Sequence, residues 1–85
     1  YPEFAEAYFN RGNLMAISGK LPEAYEDYTK AITIDQNMGE AYYNRGLVQI
    51  LMKDTRKGCL DLSKAGELGI EMAYETLKHF NIGQH

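Results

Sequence analysis

Cysteine is nearly absent from this chain of 85 residues: Cys59 stands alone. No internal disulfide can form, which excludes a cross-linked secreted scaffold. Nor is there a CxxC pair or a Cys/His cluster with the spacing of a structural zinc site. Uncharged apolar runs are short, and none approaches the ~20 residues of a membrane span. An excess of positive charge is missing too: nine Lys and Arg face twelve Asp and Glu, a net charge of −3, which argues against a nucleic-acid surface. The chain has no glycine-rich phosphate loop, no HExxH and no GxSxG. His79 and His85 fall in or after the last predicted helix without a second ligand nearby, and Cys59 falls on a helix expected to pack inward as an inert thiol. No catalytic residue, metal site or cofactor is expected. The start, Tyr1-Pro2-Glu3-Phe4, carries no initiator Met, basic head or apolar signal core, and the chain reads as a piece of something longer.

What is present is an ordinary globular balance, 45% apolar and 25% charged, in one small domain with a correspondingly modest core. That domain repeats itself. Displaced by 34 places, residues 5–38 lie on 39–72 without a gap, and ten positions are identical. Glu6–Gly12 (EAYFNRG) falls on Glu40–Gly46 (EAYYNRG), and Asp27–Ala31 (DYTKA) on Asp61–Ala65 (DLSKA). Repeats of this period are stacked supersecondary units.

Within each unit the apolar and small residues recur at helical spacing. Ala5, Tyr8, Phe9, Gly12, Met15 and Ala16 share one face, and a break follows at Ser18-Gly19-Lys20-Leu21. Pro22 sits where a first helical turn tolerates it, and Ala24, Tyr25, Tyr28, Ala31 and Ile32 form a second stripe. The second unit predicts helices over about 39–52 and 56–68, with Lys53-Asp54-Thr55 as turn and cap and Gly69 suited to a left-handed C-terminal position. A fifth helix is predicted over 71–80, stopped by Asn81-Ile82-Gly83. No stretch alternates with period two. If the first unit folds antiparallel about Gly19, Arg11 faces Asp27; folded about Lys53, the second unit sets Arg45 against Asp61. The same folding brings Gly12 toward Ala24 and Gly46 toward Gly58, letting helix axes approach closely.

A 34-residue helix–turn–helix unit with these residues resembles the tetratricopeptide repeat, whose pattern runs Trp, Leu-Gly, Tyr, Ala, Phe, Ala, Pro. Those places hold Tyr8, Arg11-Gly12, Met15, Ala24, Tyr28, Ala31 and Gln36, then Tyr42, Arg45-Gly46, Gln49, Gly58, Leu62, Ala65 and Ile70. Arg replaces Leu before each Gly, and Gln49 is polar where the family packs. The tail of the second unit, LSKAGELGIEMAYETL, is also similar to the Sel1-type repeat. Pro2 lies where the Pro of a preceding unit would fall, so Tyr1–Phe4 reads as the tail of that unit. The resemblance implies an all-α fold of tandem antiparallel helical hairpins, five helices forming a fragment of a right-handed superhelix. The organisation expected is one domain, 1–85, with repeat one at 5–38, repeat two at 39–72 and a capping helix at 71–80.

On a helical wheel, Phe9, Asn13, Ala16, Ile17, Glu6 and Asn10 cluster on a flank roughly 140° from Tyr8. Their counterparts are Tyr43, Leu47, Ile50, Leu51, Glu40 and Asn44. In arrays of the kind this chain resembles, that flank lines a concave groove for extended peptides or helices. The candidate contacts are Phe9, Asn10, Asn13, Ile17, Tyr43, Asn44, Leu47 and Leu51; the alternative is that the fifth helix covers Tyr43 and Leu47. One subset of the family clamps a C-terminal carboxylate. Asn13 and Asn44 match its asparagines, Lys78 stands at the place of its Arg, and Phe9 and Tyr74 replace two lysines, so a neutral or amphipathic peptide fits better. The expected function is a non-catalytic protein–protein interaction module in the C-terminal part of a longer repeat protein. Its partner is another protein, not nucleic acid or membrane, and its uncovered N-terminal edge is inclined to self-associate. A purely structural end-cap and a regulatory appendage of an upstream enzyme remain the alternatives.

Overall fold

The computed structural model describes residues 2–80, in which there are five helices and no strand. They are α1 (Pro2–Ile17), α2 (Leu21–Ile34), α3 (Gly39–Leu51), α4 (Thr55–Glu67) and α5 (Glu71–Phe80). The expected stop at Asn81-Ile82-Gly83, Tyr1 and His85 lie outside the described residues. Pro2 opens α1, so residues 2–4 belong to the first helix. A proline is tolerated there because the first N–H groups of a helix have no internal partner.

α1 packs on α2 and α3 on α4 as antiparallel hairpins, while α2–α3 and α4–α5 contacts join them in line. The result is elongated, 41 × 26 × 16 Å, as expected of units that touch only their neighbours. Three helix ends close alike. Lys20 donates to the Met15 carbonyl (2.8 Å), Asp54 to Gln49 (2.8 Å) and Ile70 to Ala65 (3.0 Å), each just after a left-handed residue. Those residues are Gly19 (φ 80°), Gly69 (φ 102°) and, unusually, Lys53 (φ 73°). The Asp54 side chain then caps α4 by accepting from the Lys57 N–H at 3.3 Å. α2 ends differently, in an extended Asp35 whose carboxylate accepts from the Asn37 N–H.

The buried core follows the small-residue stripes. Ala24, Tyr28 and Val48 form one cluster and Ala31, Ile32 and Ala41 another, with Leu62, Ala65 and Ala73 buried further along. In the second hairpin the axes approach closely enough that a Cβ on Gly58 would sit 2.6 Å from the Gly46 carbonyl oxygen. In the first, Gly12 lies against the ring of Tyr28 and Cβ of Asp27, and Ala24 is not among its nearest neighbours. The larger side chain at position 28, compared with Leu62, takes that place.

Both arginine–aspartate pairs form, each as a two-bond fork. Arg11 donates to Asp27 through Nε (3.0 Å) and Nη2 (2.8 Å), and Arg45 to Asp61 through Nε (2.7 Å) and Nη2 (2.9 Å). Gln49 is buried because its amide donates to Asp61 Oδ2 at 2.5 Å. Arg45 also donates through Nη1 to Thr29 Oγ1 on the preceding hairpin (3.1 Å) and lies over the rings of Tyr25 and Tyr42. Burial works against the Arg45 charge, but the bond to Asp61 and its negative charge outweigh it and raise the guanidinium pKa.

Candidate functional site

Stacking the hairpins sets α1 beside α3 with α2 behind them, and a groove of about 380 Å³ opens between them. Asn13, Ala16 and Ile17 come from α1, Tyr28 from α2, and Asn44, Leu47, Val48 and Leu51 from α3. None of these eight residues is charged. The rims are strongly exposed, with Ile17 at 84% and Leu51 at 64%, and the floor is the buried Tyr28–Val48 contact.

At the centre two hairpins share one acceptor. The Tyr28 hydroxyl donates to Asn13 Oδ1, and Asn44 Nδ2 donates to the same oxygen at 2.9 Å. Burial raises the Tyr28 pKa, the neighbouring Asn44 amide works in the other direction, and the negative charge of Asp27 raises it again. The phenol therefore stays protonated at neutral pH and remains a donor. The Asn13 Nδ2 group and the Asn44 Oδ1 atom make no hydrogen bond among the described residues. Together they offer a donor pair and an acceptor beside each other, the complement of a peptide group.

The expected contacts divide. Asn13, Ile17, Asn44, Leu47 and Leu51 line the groove together. Phe9 instead fills the seam between helices, its ring 5.8 Å from that of Tyr28, packed on both core clusters. Asn10 is exposed on α1 outside the lining. The Tyr43 hydroxyl meets Thr76 Oγ1 of α5 at 3.1 Å. The fifth helix thus engages Tyr43, while Leu47 faces the groove. The helical wheel misses two lining residues, Val48 of α3 and Tyr28 of α2. The signal for Tyr28 was available: a tyrosine stands where the second repeat has Leu62, so the first repeat carries a hydroxyl that the second does without.

The positions of a carboxylate clamp that fall on α5 are occupied otherwise. The Tyr74 ring packs over Gly66, and Lys78 is exposed beside Glu75 at 3.5 Å. Among the described residues no group of His, Cys, Asp and Glu is arranged to hold a metal ion. Cys59 is half-buried, and burial pushes its thiol pKa up, away from the reactive thiolate. No described helix is long and apolar enough to cross a membrane.

The family model described as TPR repeat matches residues 16–52, which includes α2, α3 and most of the groove lining. Among curated proteins, the chain is 38% identical over 53 residues to protein O-mannosyl-transferase TMTC3 of Homo sapiens, covering 62% of the chain and 6% of that protein. It is 35% identical over 57 residues to neutrophil cytosol factor 2 of Bos taurus, covering 67% of the chain and 11% of that protein. It is 33% identical over 67 residues to DnaJ homolog subfamily C member 7 homolog of Dictyostelium discoideum, covering 79% of the chain and 12% of that protein. The chain thus spans only 6% to 12% of the length of these relatives.

Proposed function

We propose that this chain, which is built of tetratricopeptide repeats and so belongs to a class of protein–protein interaction modules, binds an extended, largely uncharged peptide segment of a partner protein in the groove between α1 and α3. The observation that carries this reading is the shared Asn13 oxygen. It fixes both asparagines from two repeats while leaving an amide N–H₂ and a carbonyl free to meet a peptide group. Ile17, Leu47 and Leu51 flank that point and give apolar contact for side chains on either side of it. The absence of charge among the lining residues favours a neutral or amphipathic segment over a terminal carboxylate. The role assigned is recognition and not catalysis; the likeness to a transferase covers 6% of that protein. α5 is read as the cover of α4, with Ala73 and Tyr74 seated on it.

A display library of random dodecapeptides, selected on the immobilised whole chain, tests this. Selected peptides should be uncharged at their centre and should bind an Asn13→Ala/Asn44→Ala chain at least roughly tenfold more weakly. Helical content, read by circular dichroism, should not change. Peptides that bind both chains equally would sink the reading.

A further inference from the structure

Gln49 stands where the first repeat has Met15, and its bond to Asp61 accounts for only half of its amide. The Nε2 group is fully engaged: besides Asp61 Oδ2 it faces the carbonyls of Arg45 (3.3 Å) and Lys57 (3.5 Å). The Oε1 atom makes no hydrogen bond among the described residues, although Gln49 is only 5% exposed. No described side chain leaves a nitrogen or oxygen both buried and without a partner. That oxygen therefore reaches the surface. It does so in a depression of about 290 Å³ lined by Tyr25, Gln49, Met52, Asp54 and Lys57. The depression lies between the two hairpins beside the α3–α4 turn and shares no lining residue with the groove. At about 30 Å³ for a water in the liquid, it has room for more than a single water on that oxygen.

We infer that this depression receives the side-chain ammonium of a lysine on a partner protein. Its lining offers acceptors on three separate side chains. Gln49 presents Oε1, and the Tyr25 hydroxyl makes no hydrogen bond among the described residues. Asp54 keeps Oδ2 to spare, because only Oδ1 accepts the Lys57 N–H that it caps. An ammonium brings three N–H donors to these three oxygens and no acceptor to oppose them. A guanidinium fork matches the two oxygens of one carboxylate instead, and at Asp54 one of those is taken. The apolar stem of the lysine lies along Met52. Lys57 is the cation of the lining, but its Nζ is 4.0 Å from Asp54 Oδ2 and its side chain is 70% exposed, so it yields to an incoming ammonium. Behind Gln49 the charge of Arg45 is matched by Asp61. The first repeat has Met15 and Lys20 at the places of Gln49 and Asp54, so this acceptor set is no general product of stacking.

The probe is Nα-acetyl-lysine N-methylamide, titrated at low salt into the whole isotope-labelled chain and followed by NMR. The Gln49 side-chain amide and the Met52 methyl resonances should shift and saturate together. The norleucine analogue, which keeps a stem without the charge, should leave them fixed, and the arginine analogue should bind more weakly. Asp54→Asn retains a cap for α4 while removing the charge, and should weaken binding roughly two- to fivefold. Lys57→Ala removes the competing ammonium and should tighten binding by a factor of about the same size. Asn13→Ala/Asn44→Ala should change nothing here, so this inference and the groove reading fail separately. Three results would overturn the inference: no saturation at Gln49, a response to the norleucine or arginine analogue as strong as to the lysine compound, or weaker binding in Lys57→Ala.

Discussion

In the first hairpin Arg11 grips Asp27 with more than half its side chain in water, while in the second Arg45 grips Asp61 with 17% exposed. The sequence around the two pairs is nearly the same, and so is the fork. What differs is the neighbour: α2 lies on the second pair and adds a threonine hydroxyl and an aromatic ring, and Gln49 adds an amide from within. One motif is therefore a solvated clasp in one repeat and a buried network in the other. The lesson is that in a stacked array the energetic weight of a residue is set by its place in the stack as much as by its own chemistry.

The comparison breaks most sharply at the aspartates. Asp61→Ala strands the partly buried Arg45 and Gln49, and should cost about 3 kcal/mol in urea unfolding, because removing one partner leaves a desolvated charge. Asp27→Ala should cost distinctly less, since Arg11 turns into water, and salt should shrink the loss further. Equal losses would mean that coverage by α2 does not matter.

Next comes the close approach in the second hairpin. Gly58→Ala gives that repeat the residue that Ala24 supplies in the first, yet the new Cβ meets backbone 2.6 Å away. Overpacking of this kind costs about 1–3 kcal/mol, which thermal unfolding would read as a fall of at least several degrees. The turns offer a gain. Lys53 holds a left-handed conformation where the first hairpin has Gly19, so Lys53→Gly should stabilise by about 1 kcal/mol, and Gly19→Lys should lose a similar amount.

The smallest effect concerns the hydroxyl that only the first repeat possesses. Tyr28→Phe should cost about 0.5–1 kcal/mol at neutral pH, one hydrogen bond to Asn13. Because folding raises the Tyr28 pKa, the native state holds its proton longer than the unfolded chain does. Its contribution is fully present below the ordinary phenol value of about 10 and is lost as pH rises past it. Tyr28→Phe should flatten that alkaline loss, measured by urea midpoints from pH 8 upward.

The fold was largely legible because its cues are local and repeat. A 34-residue self-match, a helical stripe and a midpoint count on Arg11 and Asp27 need no knowledge of what packs on what. The groove was legible in part for the same reason: Asn13, Ile17, Asn44, Leu47 and Leu51 share a flank on a wheel. A wheel assigns direction on an isolated helix and says nothing of how far a neighbour reaches. Phe9 points along the same flank as Asn13 but is taken into the seam by Tyr28, and Tyr43 is long enough to reach Thr76 on α5. The polar Gln49 likewise looks misplaced until Asp61 is seen beside it, and no local pattern announces that Lys53 adopts the backbone of a glycine.

The central claim is that the two asparagines joined through one oxygen are where a partner peptide is held. Side-chain amide resonances of Asn13 and Asn44, followed by NMR while a selected peptide is titrated into the whole chain, test it most directly. Both NH₂ groups should shift and saturate together, with the Leu47 and Leu51 methyl resonances moving in step. Asparagine amides that stay fixed while resonances elsewhere saturate would contradict it.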